Sequence, residues 1–177
     1  MEALARRIRR ICLTGPECTG KTTLAQRLAE HYATAWVPEF AREYALEVAR
    51  PLTLTDVDPI ARGQMAGEDL LTIDAAELLI LDTDLISTIV YSNYYYSAVP
   101  QWVVAEARRR LADLYLVADI DVPFELDPAR DAEAHRIEHA HAFRRTLDEF
   151  GATYIVVNGE LEERVQKAIE AINALRR

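Results

Sequence analysis

The chain has 177 residues, half of them hydrophobic, and a formal net charge of −9. That length suits one well-cored domain rather than two, so residues 1–177 read as a single domain. The acidic balance argues against a broad nucleic-acid surface, whose affinity comes from clustered cations, and no apolar run reaches the about 20 residues that span a membrane. Arg6, Arg7, Arg9 and Arg10 make the start basic. Only Ile11 to Leu13 is apolar before Thr14 and Gly15, too little for a signal peptide. A cytoplasmic protein without nucleic-acid or membrane partners is expected; the sequence carries no signal of oligomeric state.

Ile8 to Thr14 reads as a first strand, and Lys21 to Tyr32 as a helix with Leu24, Ala25, Leu28 and Ala29 at helical spacing. Between them lies Gly15-Pro16-Glu17-Cys18-Thr19-Gly20-Lys21-Thr22, which fits the phosphate-loop pattern G-x-x-x-x-G-K-[ST] in its required strand–loop–helix context. Gly15 and Gly20 let backbone N–H groups turn inward around phosphate oxygens, and the helix N-terminus adds partial positive charge there. The loop residues Glu17, Cys18 and Thr19 line the cradle. Lys21, one of two lysines in the chain, reaches the β- and γ-phosphates; Thr22 offers a hydroxyl to Mg²⁺, and Thr23 is a spare hydroxyl for the α-phosphate. ATP and Mg²⁺ are the implied ligands. Cys12 reads as a small core residue and Cys18 as a thiol beside bound phosphate, with no structural disulfide expected.

Ala35-Trp36-Val37 reads as a second strand, ended by Pro38, with Glu39 at its carboxyl end and a helix from Phe40 to Ala49. Ligands of parallel α/β sheets bind beyond the carboxyl ends of strands, so Glu39 and Arg42 fall where a second substrate would sit. After Pro51, Leu54-Thr55-Asp56 caps a helix predicted from Val57 or Asp58 to about Ala76. Leu78 to Leu81 is a continuous apolar run ending in Asp82, the pattern of a fully buried parallel strand. Asp82 is the expected acidic partner of the phosphate loop, holding Mg²⁺ directly or through water. Asp84 either serves metal or acceptor or caps the next helix, Leu85 to Tyr91 or beyond.

The tyrosines at 91, 94, 95 and 96 either stack on a flat ring or pack a helix end on the core. Gln101 to Arg110 reads as a helix, Leu111 to Val117 as the fourth strand, and Asp131 to Phe150 as a long helix. Arg130 and Arg136, following that strand, take the place of lid arginines that stabilise charge on a transferring phosphoryl group. His135-Arg136-Ile137-Glu138-His139 fits the zinc-protease pattern H-x-x-E-H. It lacks a third ligand, and periodicity puts His135 and His139 opposite an apolar stripe of Ile137, Ala140, Phe143, Leu147 and Phe150. Thr153 to Val157 is a fifth strand, Asn158-Gly159 a loop available to the adenine, and Leu161 to Leu175 a closing helix. The expected fold is a doubly wound five-stranded parallel sheet with helices on both faces, an α/β P-loop NTPase.

With these segments in hand, the chain resembles the nicotinamide riboside kinase domain of NadR-type NAD-salvage proteins. The resemblance spans almost the whole sequence. It rests on the phosphate loop, on Val37-Pro38-Glu39-Phe40-Ala41-Arg42-Glu43-Tyr44, on Ile60-Ala61-Arg62-Gly63-Gln64, and on Leu81-Asp82-Thr83-Asp84. Tyr115-Leu116-Val117 and Val122-Pro123-Phe124 through Arg130 also match. It implies transfer of the ATP γ-phosphoryl group to the 5′-hydroxyl of nicotinamide riboside, giving the mononucleotide and ADP. On that reading Glu39 is the first choice to orient or deprotonate the acceptor, and Asp84 the second. Trp36, Tyr44, Tyr94, Tyr95 and Phe124 are candidates for stacking on the pyridinium, and Arg42 for holding Glu39 or the ribose. Pro128 stands where the family carries a glycine, so the loop before Arg130 takes another path. Only Met1 to Arg10 precede the kinase-like region, so adenylyltransferase and repressor domains are not expected here. Two alternatives remain: a kinase for another nucleoside or metabolite, and a nucleotide-dependent regulator without a small-molecule acceptor.

Overall fold

The computed structural model describes residues 7–121 and 133–176. Five strands, β1 (Arg9–Thr14), β2 (Trp36–Val37), β3 (Leu78–Asp82), β4 (Leu114–Ala118) and β5 (Tyr154–Val157), form one sheet in the order β2-β3-β1-β4-β5. Every pairing is parallel, with Cys12 opposite both Leu81 of β3 and Tyr115 of β4. The apolar runs of β3 and β4 follow from that position, since all five residues of each strand are buried.

Among the described residues seven α-helices accompany the strands: α1 (Lys21–Tyr32), α2 (Phe40–Val48), α3 (Val57–Thr72), α4 (Leu85–Tyr96), α5 (Gln101–Arg109), α6 (Glu133–Phe150) and α7 (Leu161–Leu175). The period-2 alternation of the strands divides the core in two. Ile11, Leu13, Ile80 and Leu116 face Leu24 and Leu28 of α1 and Ile172 of α7. Cys12, Leu79, Leu81 and Val117 face Ala61, Ile89, Val103 and Phe143 of the helices on the other side. The chain winds from β1 to one side through β2 and β3, then to the other through β4 and β5. The resulting switch point between β1 and β4 is where such sheets open a ligand crevice.

Several expected boundaries move. β4 starts at Leu114 rather than Leu111, because Asp113 is spent as an anchor: its Oδ2 accepts from the Arg10 backbone N–H at 2.8 Å. α3 stops at Thr72 rather than Ala76; the Thr72 hydroxyl turns back to the Glu68 carbonyl at 2.7 Å, a local bond that competes with helix continuation. α4 runs to Tyr96 and closes on Ser97 in the left-handed region. The buried face of α6 also differs. Ile137 is 54 % exposed while His139 is 2 % exposed, so the stripe runs through Arg136, His139, Ala140, Phe143 and Leu147. The cause lies on α4, whose Tyr91 and Tyr94 meet the His139 ring edge-on at centroid distances of 5.2 and 4.3 Å. The histidines therefore serve packing, and among the described residues no group of acidic, cysteine or histidine side chains is arranged to hold a metal on its own.

Under β1, Glu68 of α3 is almost fully buried and accepts hydrogen bonds from Arg10 and, at 3.5 Å, from Arg110. Burial outweighs these cations and lifts its pKa to about 7. The folded state thus holds this proton more tightly than the unfolded chain. Its contribution to stability is complete below the ordinary pKa of 4.5 and is lost as pH rises towards 7. Urea titrations at pH 5 and pH 8 should show wild type losing on the order of 3 kcal/mol more than Glu68→Gln across that interval. Equal losses would contradict this origin.

Candidate active site

The loop between β1 and α1 takes its shape from two tight constraints. Gly15 has φ of 122°, and a Cβ there would lie 2.9 Å from the Ala118 carbonyl at the end of β4, so only glycine allows the loop to leave against that strand. Thr19 then closes the turn by donating from its hydroxyl to the Pro16 carbonyl at 2.7 Å. Gly20 caps α1 with φ of 79°. Cys18, with φ of 56°, and Gly20 both lie in the left-handed region, the kind of turn from which anion cradles are built. Glu17 and Cys18 are half-buried and Thr23 exposed. Both described cysteines are free thiols, and Cys12 is wholly buried, as expected.

Lys21 is buried, and its ammonium donates to the Pro16 carbonyl at 2.6 Å. Burial lowers its pKa, opposed by the nearby negative charges of Glu39, Asp82 and Glu17. Thr22 Oγ1 donates to Asp82 Oδ2 at 2.6 Å. Asp82 is buried, and among the described residues its other oxygen, Oδ1, has no hydrogen-bond partner. An unsatisfied buried carboxylate oxygen beside a threonine hydroxyl is a donor set that fits a hydrated Mg²⁺.

Glu39 stands at the N-cap of α2 in extended conformation, yet its side chain does not cap the helix. It is half-buried, and burial raises its pKa against the pull of Lys21. Arg42 is exposed and lowers the Glu39 pKa in turn, so both belong to the same electrostatic neighbourhood. Arg136 of α6 is buried and donates from Nη2 to the Cys18 carbonyl at 3.4 Å, which brings it against the loop.

Other expected residues lie elsewhere. Asp84 is buried with both oxygens engaged: Oδ1 accepts from the Ile86 N–H at 2.9 Å as the α4 cap, and Oδ2 from the Tyr115 hydroxyl at 2.6 Å. This carboxylate is spent inside the core, which corrects its reading as an acceptor base; burial drives the Tyr115 hydroxyl pKa far up. Trp36 lines a groove with Gln26, Ala29, Glu30, Ala33 and Thr34 toward the far end of α1, away from the phosphate loop. It is half-buried and packs against the core on the α1 side of the sheet. Tyr44 donates to Asp56 Oδ1 at 2.9 Å and so pins α2 to the 3-10 turn Leu54–Asp56. Tyr94 donates to Glu138 at 2.7 Å, and Tyr95 meets it edge-on, so both seal α4 against α6. Asn158 accepts from Lys167 and is exposed. Phe124 and Arg130 lie outside the described residues.

Two residues that sequence reasoning missed bind the site together. Arg164 of α7 is 3 % exposed and donates to the Thr19 carbonyl at 2.8 Å, to the Gly159 carbonyl at 2.7 Å and to Asp121. It ties the phosphate loop to the β5–α7 loop. Gln64 of α3 touches both α2 and the end of β3. A buried polar residue in an otherwise apolar helix stripe was the available signal for each.

A glycine cradle at the β1/β4 switch point, a lysine at the start of α1 and a threonine–aspartate pair between α1 and the end of β3 define an α/β P-loop NTPase. The chain matches the family described as an AAA domain over residues 10–164, and it belongs to that family. It is 24 % identical over 95 % of its length to the trifunctional NAD biosynthesis/regulator protein NadR of Escherichia coli (strain K12), of which it covers 43 %. A solved NadR protein in complex with NR superposes with a TM-score of 0.76 at 26 % identity, covering 95 % of this chain and 49 % of that one. The chain thus spans less than half the length of these relatives. A thymidylate kinase from Ehrlichia chaffeensis matches with a TM-score of 0.69 at 14 % identity over 93 % of this chain and 98 % of that one, a likeness of fold. Sequence and architecture together are those of an NadR-type P-loop kinase domain.

Proposed function

We propose that this chain is a cytoplasmic, single-domain kinase that transfers the γ-phosphoryl group of ATP to the 5′-hydroxyl of nicotinamide riboside. The observation that carries the reading is Glu39: a half-buried carboxylate, left uncommitted by its own helix, in the field of Lys21 and Asp82. Similarity to NadR, one structure of which is in complex with NR, supports the choice of acceptor.

In this mechanism the loop amides and Lys21 hold the ATP phosphates, and Thr22 with Asp82 would hold Mg²⁺. The metal, when bound, neutralises charge on the β- and γ-phosphate oxygens. Glu39 accepts a hydrogen bond from the acceptor hydroxyl and takes its proton as the oxygen bonds to the γ-phosphorus. The bond from that phosphorus to the β,γ-bridging oxygen breaks, and ADP leaves. The transition state is loose, so positioning matters more than base strength. Arg136, already against the loop, stabilises charge on the transferring group. Incubation with Mg·ATP and nicotinamide riboside should give the mononucleotide and ADP in equal amounts, read by mass spectrometry and chromatography. ADP without the mononucleotide would refute the acceptor assignment.

A further inference from the structure

Glu39 occupies the N-cap of α2, the position from which a polar side chain can accept from the N–H of the second or third helical residue. It does not do so. Gln64, reaching across from α3, takes the N–H of the first helical residue instead: its Oε1 accepts from the Phe40 N–H at 3.0 Å. The other end of the same amide donates from Nε2 to the Thr83 carbonyl at 3.3 Å, with Glu68 Oε1 at 3.5 Å beyond it. An N–H on one side and two oxygens on the other fix which way the amide faces.

Both contacts land beside functional carboxylates. Phe40 follows Glu39, and Thr83 follows Asp82. Thr83 is buried with φ of 69°, a strained conformation for a β-branched residue that persists only where its surroundings hold it. Its N–H donates to Leu13 at 2.9 Å and its carbonyl takes the Gln64 amide, so the turn is held at both ends. Gln64 itself is 3 % exposed and cannot exchange these bonds for water. Its neighbour Gly63 reinforces the arrangement. A Cβ there would sit 2.1 Å from the Phe40 ring, so that ring lies directly on the α3 backbone and α2 has one seat.

We propose that Gln64 is a positioning residue: one amide holds the first N–H of α2, directly after Glu39, and the Thr83 carbonyl, directly after Asp82, and so sets where the Glu39 carboxylate stands relative to the Asp82 strand end. The inference rests on the reading of Glu39 as the acceptor carboxylate. It is tested by a cycle of Gln64→Met, Glu39→Gln and the double variant, with ADP release measured at varied ATP and acceptor. Gln64→Met should lower kcat about tenfold or more and leave the KM for ATP within about twofold. Added to Glu39→Gln, it should lower kcat by less than about twofold further, because the group it positions is already gone. A merely structural role predicts losses that multiply in the double variant, and that result would overturn the proposal, as would an unchanged kcat in Gln64→Met. Full turnover in Glu39→Gln alone would remove the Glu39 reading and the proposal with it. Losses in both single variants that multiply would remove the proposal only. If Gln64→Met does not fold, Gln64→Asn, which keeps the amide but withdraws it by one methylene, is read by the same criteria.

Discussion

Lys21→Ala should abolish phosphoryl transfer, lowering turnover about 10³-fold or more, which corresponds to about 4 kcal/mol of lost transition-state stabilisation. The size follows from where the ammonium sits. It is buried at the first turn of α1, and the carboxylates of Glu39, Asp82 and Glu17 all act on it. Removing the only lysine in the loop takes away the cation on which these negative charges act and leaves less positive charge for the phosphates. The fold should survive, because burial already disfavours the charged lysine and its bond is a single one to the Pro16 carbonyl. Single-turnover kinetics with Mg·ATP, beside a thermal melt, separate the two effects. Turnover within tenfold of wild type would exclude Lys21 from the chemistry.

Glu39→Gln should lower kcat about 10²-fold while the KM for ATP changes little, the signature of an interaction with the acceptor in the transition state. Its pH profile adds a second readout. Burial raises the Glu39 pKa above the ordinary carboxylate value, so the protonated, inactive form persists to higher pH. Wild-type kcat/KM should rise with pH through that raised pKa and flatten above it, and Glu39→Gln should lose this limb. A variant that keeps full turnover, or keeps the limb, would exclude Glu39 as the group that takes the proton.

Much of this site was legible because each signal was local. The phosphate loop is a run of contiguous positions whose geometry is set by Gly15, Gly20 and the helix that begins at Lys21. Asp82 was legible because four apolar residues ended in one acid, a pattern that only a doubly covered parallel strand requires. The parallel sheet with helices on both faces followed from strands alternating with helices. What escaped the sequence depends on contacts between distant segments. Nothing around Asp84 announces that Tyr115, 31 residues later, will claim its second oxygen. Helical periodicity placed His139 on the polar face, whereas the rings of Tyr91 and Tyr94 on another helix give it a buried one. Trp36 and Tyr44 stood as candidates for stacking on the pyridinium of the acceptor that the resemblance implies. Trp36 instead packs beside α1, and the Tyr44 hydroxyl is taken by Asp56. Arg164 lies 145 residues from the Thr19 carbonyl that it holds, beyond the reach of any spacing rule.

The most direct test of the account is ADP release from Mg·ATP across a panel of nicotinamide riboside, purine nucleosides, pyrimidine nucleosides and no acceptor. The account predicts strong stimulation by nicotinamide riboside alone, with its 5′-monophosphate as product. Stimulation by a different nucleoside would contradict the acceptor while keeping the phosphate machinery, and a flat response across the panel would contradict the kinase itself.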